Sequence, residues 1–270
     1  MNTVANAVVI AHYDSKGLLR EDFRELVHDL SLFADHVVFV STHLTTVAAQ
    51  ALPQCLTIIV RENRGYDFYS YKVGIESLGD LTRLSRLFLV NSSFICIDRQ
   101  KLMQRFFRSD HGQYDVFGLT RSHEHRPHLQ SFLLSFGSRC LQSETFQNWW
   151  SSMIPLDDRQ SVIDAYELGL SAYLQDNDFS LGSAYVPTRR EKVIASLRSL
   201  GRLAPVWDPI ALNPTHFYWD FVLQNFGIVK VELAERNPYG LNLRRLQSAA
   251  YQSGARSGER LKPPSAHRNP

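Results

Sequence analysis

Cysteine is scarce in this 270-residue chain: Cys55, Cys96 and Cys140 are the only three, and they stand far apart. An odd number without metal-binding spacing excludes a disulfide framework and a zinc finger, and it fits a reducing compartment. Long hydrophobic runs are also lacking. None approaches the ~20 residues of a membrane span, and no cationic start followed by a long apolar stretch marks a signal peptide. The expectation is therefore a cytoplasmic chain. Charge of one sign is missing too, since 29 Lys+Arg against 27 Asp+Glu leave +2, which gives no nucleic-acid signature. No GxSxG elbow, GxxxxGK[ST] phosphate loop, HExxH pair or Cys/His nucleophile pattern occurs, and no internal repeat. What is present, 44% hydrophobic and 21% charged residues, suffices for a large core.

The first half alternates strand and helix patterns. Ala7–Ala11, Val37–Val40, Leu56–Val60 and Arg86–Val90 read as strands, Glu21–Phe33 and Tyr69–Leu78 as helices. Such repetition predicts an α/β fold with a mostly parallel sheet flanked by helices. The second half is less regular. Asp115–Leu119 and His128–Phe136 read as strands, and Ser143–Met153, Ile163–Gln175 and Asn213–Asn225 as helices, the last with Pro214 in its first turn. Residues 1–246 are expected to form one domain, with a first half near 1–120 and a second half near 121–246. Residues 247–270, rich in Ser, Gly, Arg and Pro, read as a disordered tail.

The most informative stretch is IIVRENRGYDFYSYKVG at 58–74. Ile58, Ile59 and Val60 make a short buried-strand run. A polar, Gly-containing loop follows, and Tyr69, Tyr71, Lys72 and Gly74 lead into a helix. Open α/β sheets build ligand sites this way, at strand carboxyl ends with helix N-termini facing anions. Three more polar clusters end strands: Tyr13-Asp14, Ser41-Thr42 and Asn91-Ser92-Ser93. In a parallel sheet these ends share one edge and line one crevice.

Other candidates rank lower. His123, Glu124, His125 and His128 look like a metal cluster, yet Pro127 breaks any helix there, and a solvated loop is the better reading. His128 and Gln130 begin a strand and are candidates to face an acceptor. Asn213 and His216 start an aromatic helix and are candidates for a phosphate, whereas Phe217, Trp219 and Phe221 read as core.

The pieces VVIAHYDSKG (8–17), HVVFVST (36–42), VRENRGYDFYSYKVGI (60–75), LFLVNSS (87–93), HLQSFLLSF (128–136), YELGLSAYL (166–174) and NPTHFYWDF (213–221) resemble the rhamnan synthesis protein F family, in family order. The resemblance implies a GT-A-like, Rossmann-like fold. It also implies a glycosyltransferase moving a sugar, rhamnose being one option, from a nucleoside diphosphate to a glycan or lipid-linked glycan of cell-surface polysaccharide such as O-antigen. Tyr13, Asp14, Ser41, Asn63, Arg64, Gly65, Asp67, Lys72, Asn91 and Ser93 would then hold the donor.

Two departures stand out. Where the family usually ends its fourth strand in Asn-Asp-Ser, Ser92 replaces the Asp expected to hold a divalent ion. Mg²⁺ and Mn²⁺ favour carboxylates, so metal dependence is doubtful and no ligand set is assigned; Asp98 would substitute only if the loop folded back. At 166–171, Tyr-Glu-Leu-Gly-Leu-Ser is similar to the Glu-Asp-x-Asp-Leu-Ser helix start of inverting transferases. Glu167 takes the general-base position, Gly169 replaces the later Asp, and Asp164 is the neighbouring carboxylate. The missing acid also leaves open an inactive glycan-binding or assembly subunit, and more remotely an unrelated nucleotide-binding protein. Arg244, Arg245, Arg256, Arg260, Lys262 and Arg268 make the C-terminal stretch basic enough for peripheral contact with an anionic membrane face.

Overall fold

The computed structural model describes residues 5–200, 211–244 and 246. The expected tail, 247–270, and all of the named C-terminal basic residues but Arg244 lie outside them. Among the described residues are ten strands: β1 (Ala5–His12), β2 (His36–Ser41), β3 (Thr57–Val60), β4 (Leu84–Asn91), β5 (Phe94–Cys96), β6 (Val116–Ser122), β7 (His128–Leu129), β8 (Leu133–Gly137), β9 (Leu181–Tyr185) and β10 (Ile228–Lys230). Three helices position the site: α1 (Glu21–Phe33), α2 (Thr46–Gln50) and α3 (Tyr66–Leu78). The chain divides into two compact units, Met1–Ser92 with Ser109–Val186, and Ser93–Arg108 with Pro187–Pro270.

The first unit is a mixed α/β layer structure around one sheet of order β3-β2-β1-β4-β8-β6-β7, with β9 also paired to β6. Strands β3, β2, β1 and β4 run parallel, and β8 enters antiparallel between β4 and β6. Strand β1 is central because Ala7–Ala11 are wholly buried, as a continuous apolar run demands when both faces are covered. Helix α1 turns Phe23, Leu26, Val27 and Leu30 inward at helical spacing. Helix α3 lies close on β1 because Gly74 has no side chain; a Cβ there would collide with Val9.

Three expectations are corrected. Ile58–Val60 is not a buried run, since β3 is the sheet edge, paired only to β2, with Val60 60% exposed. An apolar run announces a strand but not its place in the sheet. His128–Phe136 is not one strand but β7 and β8 with a break at 130–132, where Gln130 N–H bonds back to Thr120 O and Phe132 O accepts from Asn91 N–H. Asn213–Asn225 is two helices, Pro214–Phe217 and Trp219–Phe226, interrupted at Tyr218.

The second unit holds an antiparallel pair, β5 with β10. Its helix Arg189–Ser199 opens with a capping box of Thr188 and Glu191. Arg198 grips Asp220 through both terminal guanidinium nitrogens at 2.7 and 2.8 Å. Phe217 and Trp219 are buried here, as expected. No helix among the described residues is long and apolar enough to cross a membrane.

Candidate functional site

Register brings the carboxyl ends of the parallel strands side by side: His12 pairs with Ser41, Ser41 with Val60, and Ala11 with Asn91. The polar clusters that end these four strands therefore share one edge. At β1, Asp14 Oδ1 accepts from Lys16 N–H at 2.8 Å and Leu18 N–H at 3.0 Å. Burial alone would raise its carboxyl, but these two bonds outweigh it and hold Asp14 below the usual carboxylate range. Tyr13 stands 54% exposed. Its N–H donates to Ser92 Oγ at 3.1 Å, and Arg20 donates to Ser92 O at 3.0 Å. Ser92 thus braces the β1 end against the β4 end.

His12, which the sequence reading passed over, is buried beneath this edge. Its Nε2 lies 3.1 Å from Leu18 O and its Nδ1 2.9 Å from Ser41 Oγ. A carbonyl can only accept, so Nε2 carries the proton. Ser41 then has one hydroxyl proton for two acceptors, His12 Nδ1 and the His43 carbonyl at 2.7 Å. Burial pushes His12 down to about 4, so the ring is neutral near pH 7. Beside it, Thr42 Oγ1 is buried without a hydrogen-bond partner among the described residues.

The Arg61–Asp67 loop is knit by a residue absent from the expected set. Arg61 donates to the carbonyls of Glu62, Arg64 and Tyr66 and to Ser70 Oγ, and it stacks over Tyr69 with its guanidinium carbon 5.1 Å from the ring centre. A fork of donors facing alternate carbonyls of one loop signals a shaped loop, but sequence cannot separate it from an anion-binding arginine. Gly65 has φ +68°, and a Cβ there would lie 2.6 Å from Tyr69 Cβ and 3.0 Å from Pro155 Cα, so only glycine fits. Tyr66 follows at φ 53° and is 44% exposed. Asn63 and Arg64 are exposed, and Arg64 pairs with Asp157 at 3.7 Å.

Asp67 Oδ2 accepts from Asn91 Nδ2 at 2.7 Å. Tyr71, fully buried one turn along α3, donates its hydroxyl to Ser131 O at 2.9 Å. Burial first, then the charges of Asp67 and Glu167, raise its phenol well above the usual value, so it stays a donor. Ser131 in turn gives both its N–H and its hydroxyl, each at 2.9 Å, to Glu167 Oε1. Glu167 closes the π-helical turn Ile163–Glu167, a departure from α geometry that often marks functional positions. Its Oε2 has no hydrogen-bond partner among the described residues. Asp164 is exposed on the helix surface with Gln160 on its carboxylate. Gly169 lies against Trp149, where a Cβ would sit 3.2 Å from Cη2; the indole occupies the space a longer side chain would need.

Other expected residues lie elsewhere. Lys72 Nζ is tied to Trp150 O, Ser151 O and Glu76 and does not reach the strand ends. Gln130 Oε1 accepts from Thr120, and His128 Nδ1 contacts Arg126 O, both near the break between β7 and β8. Ser93, Asn213 and His216 belong to the second unit. There Lys230 donates to Ser93 Oγ, Asn213 caps the Pro214–Phe217 helix through Thr215 N–H, and His216 lies 3.7 Å from Glu232. Asp98, the alternative acid, also lies there and caps a helix through Lys101 N–H.

A divalent ion does not fit the residues at the β4 end. Ser92 Oγ is engaged by Tyr13, the Asp67 carboxylate is engaged by Asn91, and no group of three His, Cys, Asp or Glu suited to a metal occurs among the described residues.

Sheet and site define a mixed α/β protein with a polar crevice edge at the carboxyl ends of its parallel strands. The family model for rhamnan synthesis protein F matches residues 37–197, and the chain belongs to that family. It is similar to the uncharacterized protein y4gN of Sinorhizobium fredii, 26% identical over 212 residues, covering 76% of this chain and 54% of that protein. It is also similar to the virulence protein VirA of Vibrio anguillarum, 28% identical, covering 69% of this chain and 64% of that protein. The chain thus spans between half and two thirds of the length of these curated relatives. Among solved structures it overlays a cytidylyltransferase of Leptospira borgpetersenii at 10% identity and TM-score 0.39, over 82% of this chain and 98% of that one. A mannosyltransferase of Pyrobaculum calidifontis, solved with GDP-Man and Mn²⁺, overlays at 14% identity and TM-score 0.36, over 95% and 81%.

Proposed function

We propose that the protein is an inverting glycosyltransferase that uses a nucleoside diphosphate sugar in polysaccharide synthesis, with rhamnose a candidate sugar. The observation that carries this reading is the shared edge, where the loops after β1, β2, β3 and β4 meet and where Glu167 presents Oε2 while Oε1 is held. Tyr13, Asp14, Ser41, Asn63, Arg64, Gly65, Asp67 and Asn91 would line the donor side, with His128 and Gln130 toward the acceptor. The acceptor hydroxyl oxygen attacks the anomeric carbon and its proton passes to Glu167 Oε2. The bond from that carbon to the diphosphate oxygen breaks, and the diphosphate leaves with the electron pair. Backbone N–H groups at the start of α3 and Arg64 supply positive potential for that charge, and no step runs through a metal. Membership of the rhamnan synthesis protein F family supports the reading.

Ser92 in place of an acid favours one second reading, a glycan-binding or assembly subunit without turnover. A thermal-shift panel of nucleotides and nucleotide-sugars, followed by donor turnover with and without Mn²⁺, separates the two. A ligand of the folded state raises the melting temperature by mass action. A stabilising nucleotide-sugar that is turned over supports the transferase, and glycan binding without nucleotide binding supports the subunit.

A further inference from the structure

We infer that Ser131 is a positioning residue for Glu167, and that Tyr71 holds Ser131 in place from the donor-side helix. The inference rests on the reading of Glu167 as base. A carboxylate on a helix ordinarily samples several rotamers, and both its oxygens compete for solvent. Here one oxygen, Oε1, takes two donors from one residue, the N–H and the hydroxyl of Ser131, each at 2.9 Å. That fixes the rotamer, and it leaves Oε2 as the oxygen that receives the proton. Hydrogen bonds to an ionised group are the strong ones.

Ser131 can do this because β7 and β8 are broken at 130–132. In a continuous strand its N–H would face a neighbouring strand. Instead the chain leaves the ladder after Leu129, whose N–H donates to Ser171 Oγ at 2.9 Å. It rejoins where Asn91 N–H donates to Phe132 O. The Ser131 carbonyl is held by the buried Tyr71 hydroxyl at 2.9 Å. Asn91 hydrogen-bonds Tyr71 and also donates to Asp67 in the first turn of α3. One hydrogen-bonded chain thus runs from the donor-side loop to the base.

The test uses nucleoside diphosphate release from UDP-glucose, GDP-mannose and dTDP-rhamnose, with water or an added glycan as acceptor. Ser131→Ala should lower kcat about tenfold or more while donor KM stays within twofold. Ser131→Thr, which keeps the hydroxyl, should restore most of the rate. In a Glu167→Gln background, Ser131→Ala should cost nothing further, because no base remains to be aimed. Tyr71→Phe should act in the same direction more weakly, and donor-induced melting shifts should match wild type in every variant. An unchanged kcat in Ser131→Ala, or an equal loss in both backgrounds, overturns the positioning role while the base stands. Full activity in Glu167→Gln overturns the base itself, whatever Ser131 does.

Discussion

The two edges of the main sheet are built from similar residues to different ends. At the amino end of β4, the side chains bond one another. Asp115 Oδ2 accepts from Arg139 at 2.6 Å and from the N–H and hydroxyl of Ser180, each at 2.8 Å. Arg86 donates to Ser135 at 2.9 Å. Burial would raise the Asp115 carboxyl, but the Ser180 bonds and the Arg139 charge prevail and hold it low. At the carboxyl end, groups remain over among the described residues: Thr42 Oγ1 without a partner, one Ser41 proton for two acceptors, Glu167 Oε2, and the exposed rings of Tyr13 and Tyr66. A sheet edge that only has to be stable satisfies its polar groups internally. The carboxyl edge leaves several unmatched, and that contrast is the ground for the ligand site proposed there.

The contrast breaks if the edges respond alike to substitution. The largest expected effect is at the carboxyl edge: Glu167→Gln should lower turnover by ~10²–10⁴-fold with donor affinity unchanged. Asp164→Asn is the control and should leave turnover near wild type. Loss in the second and not the first would assign the base to Asp164.

Next in size is the pH response of His12. Its folded value, about 4, lies below the ordinary 6.5, so between those values the unfolded chain binds more protons. The stability contributed by the neutral ring is full above pH 6.5 and is lost as pH falls toward 4. The change amounts to about 3 kcal/mol over that window. Urea midpoints should drop with acid in the wild type and drop less in His12→Gln; parallel curves would contradict the tautomer and burial described here.

At the amino edge, Asp115→Ala removes the acceptor shared by Ser180 and Arg139 and should cost about 1 kcal/mol of stability, since both donors can turn to water. Nucleotide affinity should stay unchanged, and an equal loss of nucleotide binding would erase the distinction between edges. The smallest effect is at Arg64. Its exposed pair with Asp157 at 3.7 Å contributes about 0–1 kcal/mol to folding, so Arg64→Ala should leave the melting temperature alone and weaken only nucleotide binding in calorimetry. Chelation by EDTA should likewise change donor binding little; loss restored by Mn²⁺ would show that this edge finds metal ligands by rearranging.

Much of the contrast was legible in the sequence. Alternating strand and helix patterns located β1 to β4, α1 matched its expected bounds of Glu21–Phe33, and polar strand ends pointed to the carboxyl edge. Periodicity could not report partners. Ile58–Val60 looked buried because sequence does not say which strand lies outermost. HLQSF looked like one strand because Ser131 leaves the ladder through bonds to residues 36 and 60 positions away, Glu167 and Tyr71. Arg61 and Lys72 carry the same charge in the same segment, yet one shapes the loop and the other anchors a helix end. The carbonyls around Arg61 lie within five residues of it, whereas those that hold Lys72 come from Trp150 and Ser151, 78 and 79 positions away.

The claim that one edge binds and the other only holds is tested most directly by amide hydrogen exchange with and without the nucleotide-sugar that gives the largest melting shift. The account predicts slowed exchange at 12–18, 41–45, 61–67 and 91–92, with 114–116, 137–139 and 178–181 unchanged. Slowing concentrated at the second set, or spread equally over both, would contradict it.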